Sequence, residues 1–456
     1  MSTRYQVVNP YQGEVIGEYG YTSAEAALAA IATLKAGQRM AKAMVAHERA
    51  DVLRKLAGLL ERHGETLARL ITAETGKTIS DARVELSRAV NTTIASAEEA
   101  RQIHGEALDS DAYAPSRGRI GLVCWRPLGT VLCITPFNFP LNIAMHKIGP
   151  AFAAGNCILF KPGPANTASA RLLTELCYQA GIPQDVLQLC IPSLPDMAAI
   201  IGHPDIDAIN FTGGTAAADA IAAAAGYKKL LLELGGNDPL ILMPDGDVDA
   251  AVEAAINQRF ATAGQRCTAA KRVFLHRDVH AAFRERLLAR TRQLVVGDPS
   301  LEETFVGPVI HADAAAAVMA GIEQAVAAGA SLLCGGKREG NVILPTILDQ
   351  VTDQCALMTE ELFGPVIPLA VFDSLTELIA RINNTPYGLQ AGVFTQDLRV
   401  IRQLFEALDV GSLMANDGPG FRAEHFPFGG VKGSGVGREG VKYAIREMSI
   451  QKTLVL

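Results

Sequence analysis

The segment Gly264-Gln265-Arg266-Cys267-Thr268 holds a thiol in a setting that suits nucleophilic chemistry. Small neighbours leave room for a substrate, and Arg266 would favour the thiolate, which is the nucleophilic form of cysteine. A lone cysteine is more often a small buried apolar residue, however. Cys267 is therefore a candidate nucleophile whose role depends on what the rest of the chain supplies.

Two further polar side chains stand among apolar or rigid neighbours. Glu233 interrupts the apolar run Leu230–Leu234 just before two glycines, and it is either an exposed strand residue or a base with a raised pKa. Asn138 lies in the proline-flanked segment Pro136–Pro140, directly after the β-like run Val131–Thr135. It is either an ordinary turn residue or a donor to a developing oxyanion. Neither pattern by itself decides between its two interpretations.

Two turns have the composition of a phosphate or ribose site. In Phe211–Thr215, Gly213 and Gly214 precede a helical segment, where backbone N–H groups can receive a pyrophosphate. The pattern is weak as a dinucleotide signal because Ala218 occupies the place of its last glycine. Lys161, before Pro-Gly-Pro, could reach ribose or phosphate, although a lone lysine is usually just solvated.

Composition excludes several classes of function. The 456-residue chain has a net charge of −7, with 49% apolar and 20% charged residues, which is ordinary for a globular protein of two or more domains. No basic stripe suggests nucleic acid, and no apolar run is long enough to span a membrane. The eight cysteines show no zinc-like spacing. We therefore expect a soluble cytoplasmic protein with free thiols, no metal site, and no nucleic-acid or membrane partner.

The elements that must position these residues change character along the chain. The first hundred residues predict helices, one starting at Ser23, one from about His47 to Glu74, and one from about Asp81 to Gln102. From Ile120 onwards, short β-like runs alternate with helical segments, which is typical of parallel sheets in α/β domains. The tail, residues 448–456, predicts one more strand.

Seven motifs follow one another along the chain: PFNFP, FKPG, FTGGT, LELGGND, GQRCT, EELFGPV and FPFGGVKGSGVGREG. In this order and at this spacing they resemble the aldehyde dehydrogenase superfamily over almost the whole length. The resemblance implies an α/β fold with two Rossmann-like parallel-sheet domains and a small β oligomerisation arm. It places the dinucleotide-binding domain at 1–115 and 127–235, the catalytic domain at 236–440, and the arm at 116–126 and 441–456. A homodimer or homotetramer is expected.

The same resemblance assigns roles to individual residues. Cys267 would attack a small aldehyde, Asn138 would donate to the oxyanion, and Glu233 would activate the water that hydrolyses the thioester. Lys161 and Glu361 would bind ribose. The residues implied to contact the cofactor are Thr135, Pro136, Phe137, Lys161, Gly163, Gly213, Gly214, Leu234, Glu361 and Phe363.

The resemblance leaves the choice between NAD and NADP open. Family members often have Ser at the position of Gly214, so one hydroxyl contact to phosphate is missing. Members that prefer NAD often carry Glu at the position of Pro164. An acid there would repel a 2′-phosphate, and without it NADP is not excluded.

The subgroup bears on the substrate. The stretches GGNDPLILM, GQRCTAAKR and GPGFRAE resemble phosphonoacetaldehyde dehydrogenases, and GQRCTA also resembles non-phosphorylating glyceraldehyde-3-phosphate dehydrogenases. Both groups imply an anionic aldehyde met by the arginine directly before the nucleophile, here Arg266. Arg422 matches a further arginine of the first group. A third pocket arginine would fall at Gln102, and Arg101 is the adjacent candidate, although one residue along a helix is a turn of about 100°.

Other functions remain open at this level. The substrate could instead be lactaldehyde, succinate semialdehyde or glyceraldehyde 3-phosphate. A CoA-acylating enzyme is disfavoured because such members commonly lack the base at Glu233. A non-catalytic protein on the same fold is disfavoured because Cys267, Glu233 and Asn138 occur together.

Overall fold

The computed structural model describes residues 4–456, so the first three residues of the predicted nucleotide domain lie outside the described residues. The chain opens with a hairpin followed by four helices. The hairpin strands are β1 (Arg4–Val8) and β2 (Val15–Gly20). The helices are α1 (Ala24–Ala43), α2 (Ala46–Arg62), α3 (Gly64–Thr75) and α4 (Ile79–Ala100).

The helix ends can be compared with the capping residues in the sequence. The Ser23 side chain accepts from the amide of Ala26, as expected of an N-cap. Gly76 ends α3 in the left-handed region, with φ 72°. The single helix predicted from His47 to Glu74 is wrong in one respect: it is two helices, because the chain leaves helical geometry at His63, with ψ 11°. The apolar spacing continues across this break and so could not reveal it.

The following segment alternates strands and helices as predicted, with one helix that the pattern did not indicate, α5, between the first two strands of the sheet. In chain order the elements are β3 (Glu106–Leu108), β4 (Gly121–Pro127), β5 (Thr130–Ile134), α5 (Asn142–Ala153), β6 (Cys157–Lys161), α6 (Thr167–Ala180), β7 (Leu187–Leu189), α7 (Met197–Gly202), β8 (Ala208–Thr212), α8 (Thr215–Ala225) and β9 (Lys229–Glu233).

A second α/β segment follows, and the chain then returns to the first. Its elements are β10 (Pro239–Leu242), α9 (Val248–Arg259), β11 (Arg272–His276), α10 (Arg277–Thr291), α11 (Ala312–Ala327), β12 (Ser331–Cys334), β13 (Arg338–Glu339), β14 (Val342–Ile343), β15 (Thr346–Asp349), β16 (Val366–Phe372), α12 (Leu375–Asn383), β17 (Gln390–Phe394), α13 (Leu398–Ala407) and β18 (Ser412–Ala415). The returning elements are β19 (Gly435–Val436), α14 (Val441–Glu447) and β20 (Ser449–Val455).

Besides the two-stranded sheets β1-β2 and β13-β14, three larger sheets organise the strands, and they confirm the predicted α/β class. The first has the order β19-β9-β8-β5-β6-β7 and the second β12-β15-β16-β11-β10-β17-β18; both are parallel except at the edge strands β19 and β12. The third is the antiparallel sheet β20-β4-β3. The predicted tail strand β20 is thus the edge strand of this sheet, and it pairs with β4 on one side.

Two hydrophobic cores correspond to the two parallel sheets. One contains buried residues from Ala27 to Leu234, together with α14. The other contains buried residues from Leu240 to Leu408. Because α14 packs into the first core, only β20 of the predicted arm segment 441–456 lies in the three-stranded sheet. The domain limits themselves stay a prediction.

The order of the first sheet determines where ligands can bind. The chain runs outward from β5 through β6 and β7, then crosses to β8 and β9 on the other side of β5. In open α/β sheets, ligands bind outside the carboxyl ends of the strands at such a reversal. Asn138 and Gly213 lie in the segments that follow β5 and β8, and Glu233 is the last residue of β9. Three of the predicted motifs therefore meet at this edge.

Candidate active site

Cys267 lies on a strained loop between α9 and β11. Three successive residues before it, Thr262, Ala263 and Gly264, adopt positive φ angles of 53°, 52° and 74°. Asp81 supports this geometry, because its carboxylate accepts from the amide and hydroxyl of Thr262 at 2.9 and 3.1 Å. Only glycine fits at position 264, because a Cβ there would lie 2.2 Å from the carbonyl oxygen of Gly364. Backbone strain of this kind concentrates at functional sites.

A cavity of about 250 Å³ opens beside Cys267. Its walls come from the segments after β5, β8 and β9, from the Cys267 loop, and from the segment before β16. Nine predicted site residues line it: Pro136, Phe137, Asn138, Gly213, Gly214, Leu234, Cys267, Glu361 and Phe363. Most of the wall is apolar, and Phe137 and Phe363 meet edge to face at 6.3 Å.

Asn138 is fixed relative to the nucleophile. It is buried, and its Nδ2 donates to the carbonyl of Gln265 at 2.8 Å, two residues before Cys267. Its Oδ1 accepts from the amide of Phe139. Because a primary amide has two N–H groups, one remains available to a ligand in the cavity. The side chain can therefore serve as an oxyanion donor without rearrangement.

The environment of the Cys267 thiol opposes ionisation. Burial raises its pKa to about 11, while the cations Lys271 and Arg422 lower it and the carboxylates Asp238 and Glu361 raise it. The sequence indicated Arg266 as the activating cation. Arg266 and Cys267 do interact electrostatically. The pKa of Arg266 itself is lowered chiefly by burial, and the carboxylate of Asp81 opposes this lowering.

Glu233 ends β9 and is 3% exposed. Glu233 does not line the cavity beside Cys267. It lies against the segment that leads into β19, where a Cβ on Gly429 would come within 2.8 Å of Oε1 of Glu233. Burial raises its pKa well above the ordinary value, Glu439 raises it further, and Arg422 opposes both. Among the described residues, its Oε2 has no hydrogen-bond partner. Of the two interpretations of Glu233, the geometry therefore favours a base with a raised pKa over an exposed strand residue.

Residues suited to a nucleotide surround the same cavity. Lys161 ends β6, and burial lowers its pKa. The hydroxyls of Thr135 and Thr212 are buried without a hydrogen-bond partner in the described part of the chain. Gly163 lies beside Phe137, and a Cβ on Gly214 would meet nothing within 4 Å. Unpaired donors, a cation and an open glycine turn together fit a dinucleotide.

A charged cluster lies on another side of Cys267. Arg422 donates to Glu439 at 2.8 Å and stacks over Phe428 at 3.9 Å. Glu439 also pairs with Lys147 at 2.9 Å, and these cations hold its pKa at about 2 despite burial. Arg422 is thus paired with a carboxylate 17 residues further along the chain. Its Nε has no hydrogen-bond partner among residues 4–456.

Besides Arg422 and Arg266, the cluster contains Arg88 on α4, which the sequence did not reveal. Its Nε donates to Glu424 at 2.8 Å, and Glu424 also pairs with His146 at 2.6 Å. Its Nη2 is buried without a hydrogen-bond partner in the described chain. Arg88 is close enough to Arg266 to lower its pKa. A buried guanidinium nitrogen without an acceptor was not readable from the sequence.

Arg101 does not belong to this cluster. It caps the end of α4, is 43% exposed at its side chain, and pairs with Asp51 at 2.8 Å. Arg88 lies more than three turns earlier on the same helix. The proposed contact of Arg101 with a substrate is therefore corrected: the helix brings Arg88 to the site and leaves Arg101 at the surface.

Comparison with known proteins identifies the family. The model of the aldehyde dehydrogenase family matches residues 1–454. Sulfoacetaldehyde dehydrogenase of Neptuniibacter caesariensis is 63% identical over 100% of both chains, and 3-sulfolactaldehyde dehydrogenase of Priestia aryabhattai is 37% identical over 99% of this chain and 95% of the relative. The NADP-dependent glyceraldehyde-3-phosphate dehydrogenase of Bacillus halodurans, solved with NADP, superposes with a TM-score of 0.97 at 36% identity, covering 99% and 95% of the two chains.

The chain belongs to the aldehyde dehydrogenase family. It is an NAD(P)-dependent aldehyde dehydrogenase, and this confirms the predicted fold, enzyme class and cofactor class. Among the described residues, no helix is long and apolar enough to cross a membrane, and no group of three or more His, Cys, Asp or Glu side chains could hold a metal ion.

Proposed function

We propose that this enzyme oxidises a short aldehyde bearing a sulfonate, of the sulfoacetaldehyde type, to the corresponding acid. The observation that carries the proposal is the charge of the cluster around Arg88, Arg266 and Arg422. The 63% identical relative bears the name sulfoacetaldehyde dehydrogenase, and the more distant 3-sulfolactaldehyde dehydrogenase also names a sulfonated aldehyde.

The charge of the cluster favours a monoanion. Arg88 shares its guanidinium with Glu424, and Arg422 shares its own with Glu439. Arg266 instead donates to the carbonyl of Gly420 at 3.4 Å. Glu439 also pairs with Lys147, and Asp81 acts on Arg266. Four cations against three carboxylates leave one net positive charge, and Arg88 and Arg422 each keep one buried nitrogen for an acceptor. A sulfonate carries one charge and three acceptor oxygens, whereas a phosphonate is partly dianionic at neutral pH, as phosphates are.

The proposed mechanism begins with the Cys267 thiolate. It attacks the aldehyde carbon, and the carbonyl oxygen, now an oxyanion, accepts from Nδ2 of Asn138 and from the amide of Cys267. A bound nicotinamide cofactor would supply the acceptor for the hydride that leaves the former aldehyde carbon. Lys161 and Glu361 would hold its ribose, the glycine turn after β8 its pyrophosphate, and Phe363 one wall of the nicotinamide pocket. The product of this half-reaction is a thioester on Cys267.

Glu233 would complete the cycle. Its raised pKa suits a base that takes a proton from water near neutral pH. The hydroxide so formed adds to the thioester carbon, the C–S bond breaks, and the carboxylic acid leaves as the thiolate returns. Because Glu233 does not line the cavity, it must act through a short water path or a change of its side-chain rotamer.

We also propose that the enzyme assembles through its three-stranded sheet as a homodimer or homotetramer. The strand β20 is exposed along most of its length, and Ile450, Leu454, Val455 and Leu456 are each more than half exposed. The strand β18 is likewise at the edge of its sheet. Exposed apolar strand edges are usually covered by another chain.

A substrate panel tests the proposal. The formation of reduced cofactor would be followed with NAD and with NADP, using sulfoacetaldehyde, phosphonoacetaldehyde, glyceraldehyde 3-phosphate, succinate semialdehyde, lactaldehyde and propanal. We expect the highest kcat/KM for the sulfonate, a lower one for the phosphonate, and a much lower one for propanal. Faster oxidation of lactaldehyde or propanal would contradict the anionic site, and faster oxidation of phosphonoacetaldehyde would contradict the charge argument alone.

A further inference from the structure

Lys271 lies between the nucleophile and the proposed cofactor ligand. Its Nζ donates to the main-chain carbonyl of Cys267 and forms an ion pair with Oε1 of Glu361 at 2.8 Å. The Lys271 side chain is 1% exposed. Its own amide donates to the carbonyl of Asp238 at 3.0 Å. A buried ammonium with these partners has a fixed position relative to the thiol.

Glu361 is placed to influence the thiol in two ways. It accepts from the amide of Gly236 at 3.4 Å, and it packs so closely on Gly235 that a Cβ there would lie 2.2 Å from its Oε2. As a neighbouring anion it disfavours the thiolate, and as the partner of Lys271 it offsets the cation that favours the thiolate. Glu361 also lines the cavity, so a ligand there can reach its carboxylate.

We propose that Lys271 is a positioning residue that stabilises the Cys267 thiolate, and that Glu361 restrains this charge until its carboxylate turns to the bound cofactor. The second half rests on the proposed function, in which Glu361 binds ribose. When Glu361 moves, Lys271 loses its counter-charge and Cys267 loses a neighbouring anion. The thiol then gives its proton to the solvent, so that the thiolate forms when the cofactor is in place.

The charged groups around the thiol agree with this assignment. The cations Lys271 and Arg422 lower the pKa of Cys267, and the anions Asp238 and Glu361 raise it. Arg422 already shares its charge with Glu439. Asp238 itself has a pKa raised to about 7, chiefly by burial. The pair of Lys271 and Glu361 is therefore the one whose balance a ligand in the cavity can change.

The test is the pH dependence of Cys267 alkylation by iodoacetamide in the full-length enzyme without cofactor, with Cys267→Ser giving the background from the other thiols. Since alkylation follows the thiolate fraction, each unit of pKa shift changes the rate at neutral pH about ten-fold. We expect Lys271→Met to raise the pKa and slow alkylation about ten-fold. Lys271→Arg should restore it, and Glu361→Gln should lower the pKa and speed alkylation.

A control removes a cation outside the catalytic and binding machinery. Arg49→Met takes away a partly buried arginine on α2, whose side chain donates to the main-chain carbonyl of Ala153, and it should leave the alkylation profile unchanged. Thermal melting and circular dichroism would show that each variant is folded, and Lys271→Gln would replace Lys271→Met if the latter is not. Wild-type alkylation in the folded Lys271 variant, or slower alkylation in Glu361→Gln, would overturn the proposal.

Addition of NADP tests the second half. The alkylation pKa should fall in the wild type, change little in Glu361→Gln, which already lacks the restraint, and stay high in Lys271→Met. An unchanged wild-type profile with NADP bound would overturn the restraint by Glu361. Failure of the proposed function would look different, because the wild type would then oxidise lactaldehyde or propanal faster than the sulfonated aldehyde, whatever the alkylation profile.

Discussion

The two sides of Cys267 are built differently. On the cofactor side, a cavity of about 250 Å³ is lined mainly by apolar and glycine residues that follow strand ends. On the proposed substrate side, cations from α4 and α5 and charged groups from the segments on either side of β19 form one network. In the proposed function, the first side would bind chiefly through backbone approach and shape, and the second through balanced charge. Such a division would let family members share the use of a cofactor while a few paired side chains determine the substrate.

Cys267→Ser removes the atom that both sides share, and it should have the largest effect. We expect turnover to fall by on the order of a thousand-fold or more, because a hydroxyl is a far weaker nucleophile than a thiolate at neutral pH. Cofactor binding, measured by fluorescence titration, should remain. Near-wild-type turnover would remove Cys267 from the mechanism.

Glu233→Gln should separate the two half-reactions. The amide cannot take a proton from water, so rapid mixing should show a burst of about one reduced cofactor per active site, followed by slow turnover. Burial and Glu439 raise the pKa of Glu233, so its basic form grows as pH rises through that pKa. Wild-type turnover should therefore increase with pH at values well above the ordinary carboxylate range, and the variant should lose this limb. If acylation in the variant is already slow, Glu233 has an earlier role.

Arg88→Ala should act on the substrate side alone, costing about 1.5–3 kcal/mol in kcat/KM for a sulfonated aldehyde, which is the usual size of a charged hydrogen bond, and little for propanal. Arg422→Ala should cost a similar amount for the sulfonated aldehyde and a smaller amount for propanal, because Arg422 also lowers the pKa of Cys267. Arg101→Ala, on the same helix as Arg88, is the matched control and should leave both substrates unaffected. Equal losses for charged and uncharged aldehydes would show that the cluster arginines are structural.

Lys161→Met should act on the cofactor side alone. Loss of one charged contact should raise KM for the cofactor by about ten-fold, and the KM for the aldehyde should not change. Steady-state kinetics with each substrate varied in turn measure both quantities. A rise in the aldehyde KM of similar size would mean that the two sides are not separable in this way.

The smallest effect on chemistry is expected from the arm. Ile450→Lys combined with Leu454→Lys keeps the backbone pairing of β20 with β4, but places charges on an exposed apolar strand. The mass measured by light scattering should fall to that of a smaller assembly, while Gln451→Lys should leave it unchanged. Truncation at Ser449 should also reduce the mass. Unchanged mass in both the double variant and the truncation would exclude β20 from the interface.

The sequence predicts the cofactor side far better than the substrate side. Gly213, Phe137 and Leu234 belong to contiguous motifs at strand ends, and each lies on the cavity as expected. Arg88 could not be recognised, because its role depends on Glu424, 336 residues further along the chain. Glu439 was missed as the partner of Arg422 because nothing in their spacing marks the two residues as a pair. Ion pairs between distant segments leave no spacing that a single sequence can reveal.

The most direct test of the central claim is to trap the intermediate. Glu233→Gln would be mixed with sulfoacetaldehyde and NADP, quenched in acid and digested, and the peptide containing Cys267 would be analysed by mass spectrometry. We predict a sulfoacetyl thioester on Cys267, formed in step with the burst of reduced cofactor and absent when NADP is omitted. A burst of reduced cofactor with an unmodified Cys267 peptide, or with the acyl group on another residue, would contradict the mechanism.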